Sequence, residues 1–534
     1  MVAPMATLVS AANHSHPYSE PTATGKWLIA ASVMLGTFLS VMDATVVNVA
    51  MPHMMGSFGE DLLTITWVST AYSIAEIIMV TMAAWWTALL GRKQLFLLSM
   101  GLFIFGSILA GTATTLHQMI LYRVIQGIGG GSLMPCSQAI ARETFPPSEQ
   151  GMAMAIYSMG VVLAPAIGPV IGGWLVDKYG WQWVFYINVP FCIIGMLMVS
   201  AFVHDPPYLK RGVERVDWTG ITLLTVGLTA AQIVMERGEE VDWFASNWII
   251  IGTVIAVGGI VALIIWELRR AEPIIDFRLF KNRLLTVGCA IGSASGFALY
   301  GSSFLLPQFT ENLLNYPAYQ AGMVLMPRAL AMFLIMPIVG RLYNYVSPRI
   351  LVGTGIILLM YGYWRLAHFN LYVGFWSFAP ILILTGMGMG IAMVTLSTVS
   401  LSTIPRPQMT GASGLNTLTR REAGNISYAL LATVLARRTQ FHRAMLVDNV
   451  SNLNQGFLQM DQGLSHMLQN YGYNSAAIGG RDLGLINNII NSHAMIMAYN
   501  DCFYALVPVL LVSMLLLFLL PKHGFVAESE MASH

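Results

Sequence analysis

The stretch Ser158-Met-Gly160-Val-Val-Leu-Ala164-Pro165-Ala-Ile-Gly168-Pro169-Val-Ile-Gly172-Gly173-Trp174 decides how this chain is read. It is apolar and belongs to an apolar run of helix length. Ala164, Gly168 and Gly172 recur at i, i+4 and i+8, so they share one helix face. A helix with such a groove lets a neighbouring backbone approach closely, which is how helices associate where lipid removes the hydrophobic drive. Pro165 and Pro169 each remove a backbone donor and bend the helix. On its residues alone the stretch is a tightly packed membrane helix.

Composition agrees. Of 534 residues, 56% are hydrophobic and 10% charged, against about 25% charged in a soluble domain. Apolar runs near the ~20 residues that cross a bilayer recur along nearly the whole chain, which leaves no room for a large soluble domain. A net charge of +1 and the lack of a basic cluster with interleaved aromatics argue against a nucleic-acid partner. Cys136, Cys192, Cys289 and Cys502 sit in or beside apolar runs without metal-type spacing, so they read as small core residues.

About fourteen spans are expected, at 27–50, 64–86, 94–113, 117–140, 151–175, 184–204, 217–236 and 248–267, then 284–310, 320–342, 350–368, 375–402, 411–436 and 496–520. Alternate loops collect Arg92 and Lys93; Lys210, Arg211 and Arg215; Arg269, Arg270, Arg278, Lys281 and Arg283; Arg349; and Arg406. By the positive-inside rule both termini are then cytoplasmic. The segment after the second span, Trp86-Thr-Ala88-Leu89-Leu-Gly91-Arg92-Lys93, is echoed after the tenth by Gly340-Arg341-Leu-Tyr-Asn344-Tyr-Val-Ser-Pro348-Arg349. An internal repeat of this kind fits two six-helix halves with two extra spans between them. The expected organisation is a disordered cytoplasmic tail at 1–25, a six-helix half at 26–205, two inserted helices at 206–270, a second six-helix half at 271–520 and a cytoplasmic tail at 521–534. Within the second half, 437–493 is expected as a long polar loop outside the cytoplasm, with amphipathic segments such as 450–469.

Charged groups inside hydrocarbon cost at least ~2.5–3.5 kcal/mol on insertion scales, so each is a functional candidate. At about 1.5 Å per residue, Asp43 lies some 24 Å above the cytoplasmic edge and Arg123 roughly 10 Å below the outer edge, nearly the same depth. Burial favours a neutral carboxyl and a nearby cation favours the carboxylate, so a pair that opens and closes is a proton switch; the alternative is a permanent structural ion pair. Glu76 is mid-span with no sequence-local cation, and is either protonated and quiet or a proton or cationic-substrate site. Arg328, Arg365, Arg420, Arg421 and Glu422 add charge to the second half; Arg421 and Glu422 either neutralise each other or a neighbour, or serve the substrate. Met387, Met389 and Met393 form either an adaptable apolar lining or ordinary packing. The run Gln126-Gly-Ile-Gly-Gly-Gly131 is not a nucleotide loop, since no strand precedes it. A Walker-type loop, a catalytic constellation and a metal-ligand cluster are all absent from the sequence, so no enzyme, no bound cofactor and no metal are expected.

Several segments taken in order resemble the EmrB/QacA family of fourteen-span major facilitator drug:proton antiporters, over essentially the whole chain. They are Met42-Asp43-Ala-Thr45-Val-Val-Asn48-Val-Ala50-Met51-Pro52, Arg123-Val-Ile-Gln126-Gly127, Trp181-Gln-Trp183-Val-Phe-Tyr-Ile-Asn188-Val-Pro190, the Asp242-Trp243-Phe244 turn, and the fifth-helix stretch quoted first. The resemblance implies the all-α major facilitator fold, alternating access by two rocking halves, and export of hydrophobic or amphipathic drugs from a bacterial inner membrane in exchange for protons. It makes Asp43 and Arg123 the proton-coupling pair, beside which Glu76 stands as a proton-coupling candidate from its own mid-span place, and Ala164, Pro165, Gly168, Pro169, Gly172 and Gly173 the conformational switch. Glu422 departs from the family, which is expected to have an apolar residue there, and with Arg328 and Arg420 it is a candidate substrate or second charge site from its charge alone. Transporters of this type work with a periplasmic adaptor and an outer-membrane channel, so the loop at 437–493 is an expected docking surface. Ala88, Leu89 and Asn344 depart from the charged residues usual in the family's loop motifs. The alternative function is a proton-coupled transporter, exporter or importer, of one endogenous metabolite on the same fold.

Overall fold

The computed structural model of the chain describes residues 23–206, 212, 216–270, 272–448, 450, 455–470 and 475–521. Most of both expected tails, the loop residues Lys210, Arg211 and Arg215, and parts of 437–493 lie outside the described residues. The N-terminal half comprises α1 (Ala23–Phe58), α2 (Leu62–Ile65), α3 (Trp67–Leu90), α4 (Arg92–Gly111), α5 (Leu116–Gly131), α6 (Leu133–Thr144), α7 (Gln150–Tyr179), α8 (Trp183–Tyr186) and α9 (Asn188–Phe202). Two inserted helices follow, α10 (Trp218–Arg237) and α11 (Asn247–Arg269). The C-terminal half comprises α12 (Arg283–Asn312), α13 (Ala318–Val324), α14 (Met326–Leu342), α15 (Pro348–Leu366), α16 (Phe375–Ser400), α17 (Met409–Val447), α18 (Gln455–Asn470) and α19 (Ser475–Leu515).

Local chemistry sets the boundaries. Gly91 takes φ 85°, a conformation open to glycine, and so turns α3 into α4 without a connecting loop. Side chains cap orphan backbone donors at helix starts: Thr115 for α5, Asp217 for α10, Asn282 for α12 and Ser347 for α15. The glycine run of α5 serves packing. A side chain at Gly127 would come within 2.6 Å of the Tyr72 carbonyl on α3, while Gly129 lies against the backbone of Phe103 on α4.

Eleven helices among the described residues are long and apolar enough to cross a membrane. The three other expected spans differ for physical reasons. The fourth is broken at Ser132 into α5 and α6, α15 carries Arg349 and Arg365 within 19 residues, and α17 carries charges along much of its length. On α11, Ile251, Val254 and Val257 are more than half exposed, an apolar stripe suited to lipid.

Each half has its own core, built around Val46, Phe96, Phe103 and Phe185 in the first and Phe309, Met336, Ile356 and Phe503 in the second. A third cluster, including Trp85, Leu224, Leu279 and Leu415, joins α3, the inserted helices and α17. Apart from the Glu76–Arg421 pair, the direct bonds between the halves described here gather at one end, here called the basic end. Arg92 donates to Thr410 Oγ1 and to the Arg406 carbonyl, both at 3.0 Å; Arg142 donates to the Thr398 carbonyl at 3.1 Å; Asn344 donates to the Ser148 carbonyl at 2.7 Å. There α7 and α14 meet almost backbone to backbone at Gly151 and Gly340.

At the opposite end the expected polar loop is largely helical. α17 runs on to Val447, α18 overlaps the segment expected to be amphipathic, and α19 starts at Ser475. Polar side chains tie the two long extensions together. Arg443 donates to Asn491 Oδ1 at 2.8 Å and to Asn487 Oδ1 at 3.1 Å, while Arg438 and His442 both engage Asp501.

Candidate functional site

Asp43, Arg123, Gln126 and Asn188 are fully buried in the N-terminal half. Arg123 on α5 pairs with Asp43 Oδ2 on α1. The other carboxylate oxygen accepts from Gln126 Nε2 at 2.9 Å and from Asn188 Nδ2 at 2.8 Å. Arg123 also donates to Gln126 Oε1 at 2.6 Å and to the Val68 carbonyl at 3.2 Å, with its guanidinium 4.1 Å from the Tyr72 ring centroid. Ser107 of α4 accepts from Gln126 at 2.8 Å. A buried ion pair repays its desolvation only when the remaining polar sites are satisfied, and five helices supply what this one needs.

Asp43 and Arg123, at matching depths in the sequence, do pair in the structure. Gln126, Asn188 and Ser107 join them without being candidates on charge. The available signal was in the motifs: Gln126 follows Arg123 at i+3, on the same helix face, and Asn188 opens α9.

The glycine face of α7 lies against α1 just beyond Asp43. A side chain at Gly168 would run into Thr45 Oγ1, and one at Gly172 would come 2.9 Å from Val46 Cγ1. Ala164 is buried on the same face, whereas Gly173 is looser, with Val49 4.0 Å away. Pro165 is exposed and Pro169 half-buried. This helix face therefore touches the turn of α1 that carries the acid.

Glu76 has a partner 345 residues away. Arg421 of α17 grips both of its oxygens, with Nη2 2.8 Å from Oε1, and Ser40 donates to the same oxygen at 3.3 Å. This bidentate pair crosses between the halves. Of the alternatives for Arg421 and Glu422, the structure selects neutralisation of Arg421 by a neighbour. Glu422 turns instead to Asn425, which donates to Gln232 of α10 at 2.9 Å; Gln232 donates to Glu236 at 2.7 Å, and Glu236 accepts from Thr70 of α3.

Arg328 and Arg420 lie elsewhere, both close to α12. Arg328 donates to Ser302 Oγ at 2.8 Å and Ser303 Oγ at 2.7 Å. Arg420 packs its side chain on Gly296 and lines a narrow cavity with Met389 and Met393. The three residues grouped as a second charge site thus divide, Glu422 toward the inserted helix and the two arginines toward α12.

Two helical halves, each with its own core, an ion pair locked in one and a second pair crossing between them describe a membrane transporter rather than an enzyme. The Major Facilitator Superfamily model matches residues 33–427. The multidrug export protein EmrB of Escherichia coli is 34% identical over 476 residues, covering 89% of this chain and 91% of that one. The fatty acid resistance protein FarB of Neisseria gonorrhoeae is 31% identical, with coverages of 89% and 92%. In fold, the human organic anion transporter MFSD10 superposes with a TM-score of 0.61 at 15% identity, over 92% of this chain and 99% of its own. This chain belongs to the major facilitator superfamily, and within it to the EmrB type.

Proposed function

We propose that the protein is a proton-coupled efflux antiporter of a bacterial inner membrane that exports hydrophobic or amphipathic compounds by alternating access. In this reading the chain makes fourteen spans, both termini and the basic end are cytoplasmic, and the bonds of Arg92, Arg142 and Asn344 close the inner gate. The proton gradient is the energy source, with no bound cofactor. The observation that carries the reading is the Asp43 cluster: an acid held by Arg123, Gln126 and Asn188, against the α1 turn on which Gly168 and Gly172 of α7 bear.

A rocking motion of α7 on α1 would change the surroundings of Asp43. Loss of the Arg123 contact favours the neutral acid, and its return favours proton release. Glu76 and Arg421 pair across the halves and so report their separation. Drugs and lipid are the immediate partners, and the helical extension of α17 to α19 is the surface offered to a periplasmic adaptor with its outer-membrane channel.

The test is compound-driven proton movement in liposomes containing the purified protein, using a panel that includes ethidium. Movement is expected with wild type and is expected to fall to the protein-free rate with Asp43→Asn. Unchanged coupling in Asp43→Asn would remove the proton switch from α1, and no proton movement with any compound would sink the antiport reading.

A further inference from the structure

A cavity of about 240 Å³ lies beside the latch at the basic end, apart from the Asp43 cluster. A protein cavity of ~150 Å³ already takes up benzene, so this one has room for a bicyclic ring. Three parts of the fold meet around it. Trp85 and Ala88 of α3 form one wall, Leu415 and Leu418 of α17 a second, and the linker between α11 and α12 closes the third with Ile274 and Leu279. The walls are fixed: the buried Glu267 accepts from the Ile274 amide at 2.9 Å, and the Gly212 amide donates to the Ala88 carbonyl at 3.0 Å.

The polar groups of the lining have one sign. Glu272 and Asp276 stand in the linker wall, and no lysine or arginine lines the cavity among the described residues. Glu272 is exposed. Asp276 uses Oδ1 to cap the Arg278 amide at 3.1 Å, and Oδ2 has no bond among the described residues. The nearest guanidinium in sequence, that of Arg278, is spent on the carbonyls of Leu268 and Arg270. Apolar walls with an indole and two carboxylates suit a flat ring that carries a cation.

The position of the cavity decides what a ligand there does. Next to it α3 and α17 touch closely: a side chain at Gly411 would lie 3.4 Å from Ala84 Cβ, and one at Gly414 would lie 3.1 Å from the Val80 carbonyl. Arg92 and Thr410 bond just beyond. Opening at the basic end must part α3 from α17, and the cavity walls part with them. A ligand that needs both walls binds only the closed form and shifts the population toward it.

We propose that this cavity is an inhibitory site for a small aromatic amine, filled only while the basic end is closed, so that its ligand arrests the transporter instead of being exported. Binding stands apart from the efflux reading, whereas the arrest rests on it.

Tryptamine, tryptophol and indole-3-propionate share one ring and differ in charge. They are titrated calorimetrically into the full-length protein in a neutral detergent, with thermal melting of every variant. Tryptamine is expected to bind most tightly and indole-3-propionate least. Glu272→Gln with Asp276→Asn should weaken tryptamine about tenfold, since each partly exposed carboxylate contributes a few-fold, and should move tryptophol less than about twofold. Ala88→Phe places a ring in the cavity and should abolish binding of both. Equal affinities for the three compounds, a preference for the anion, or affinities unchanged in both variants would overturn the site. If Ala88→Phe fails to fold, the carboxylate variant, altered only in the linker, decides.

The arrest is read in liposomes. Tryptamine should suppress ethidium-driven proton movement by wild type, and about tenfold more should be needed for the carboxylate variant. Proton movement driven by tryptamine itself, beyond the protein-free rate, would make it a substrate and refute the inhibitory role. Undiminished ethidium-driven movement at saturating tryptamine would refute it as well. Tryptamine binding in a protein that moves protons with no compound would instead refute the efflux reading, and the titrations alone would then decide the site.

Discussion

At the scale of single residues, the two ion pairs make opposite demands on reading a sequence. Asp43 and Arg123 were legible because counting residues along two spans gave their depths. The Glu76–Arg421 pair was not, because its members belong to different halves and nothing local to Glu76 signals a cation 345 residues later. Removing one partner of such a pair leaves a buried charge uncompensated, at a cost of about 3–5 kcal/mol, whereas removing both is far milder. Arg421→Gln and Glu76→Gln are therefore each expected to lower the melting temperature and yield of the protein in detergent, and the double variant to recover most of the loss. Additive losses in this cycle would show that the two side chains act independently. Gln126 and Asn188 mark a different limit: their roles depend on which way amides point inside a core. A motif can hold those residues in view without giving their geometry.

At the scale of helices, α7 was legible as a close-packed element because small residues at i, i+4 and i+8 say so whatever the partner. Its partner was not given by the spacing, and the structure identifies it as α1 at Thr45 and Val46. The contact is graded, which makes it testable. Gly168→Ala places a methyl group inside the contact radius of Thr45 Oγ1, while Gly173→Ala meets nothing nearer than 4.0 Å. Small-to-large changes in a packed contact cost about 1–3 kcal/mol, so efflux should fall strongly in Gly168→Ala and stay near wild type in Gly173→Ala. Thr45→Ala removes the clashing hydroxyl and should restore Gly168→Ala. Equal effects of the two glycine substitutions on transport would mean that the groove is not the working contact. The polar insertion shows the reverse failure. Low hydropathy marked 437–493 as loop, but a polar stretch forms helix where its polar faces are satisfied, and Arg443 with Asn487 and Asn491 provides this.

At the scale of the whole molecule, the inserted helices are attached where the halves must move. Near the end opposite the basic one, α10 bonds to α3 of the first half through Glu236 with Thr70 and Arg237 with Thr66, and to α17 of the second through Gln232 with Asn425. At the basic end the halves bond to each other directly. Opening at that end must therefore break the contacts of Arg92, Arg142 and Asn344, while the α10 attachments at the other end can persist. Three of the four latch bonds end on backbone carbonyls, so these bonds need no acidic acceptor from the loop motifs, and the unusual Ala88, Leu89 and Asn344 are compatible with a closed gate. Each hydrogen bond from a charged group contributes about 1.5–3 kcal/mol, enough to shift a two-state equilibrium about tenfold or more. Spin labels on the exposed Pro147→Cys and Tyr345→Cys should give a short distance in the wild-type background, since the four native cysteines are buried. Arg92→Ala combined with Arg142→Ala should move most of the distance distribution to longer values, and restoring Arg92 alone should recover part of the short population. A distribution that stays short in the double variant would show that helix packing at Gly151 and Gly340, not this set of bonds, holds the basic end closed.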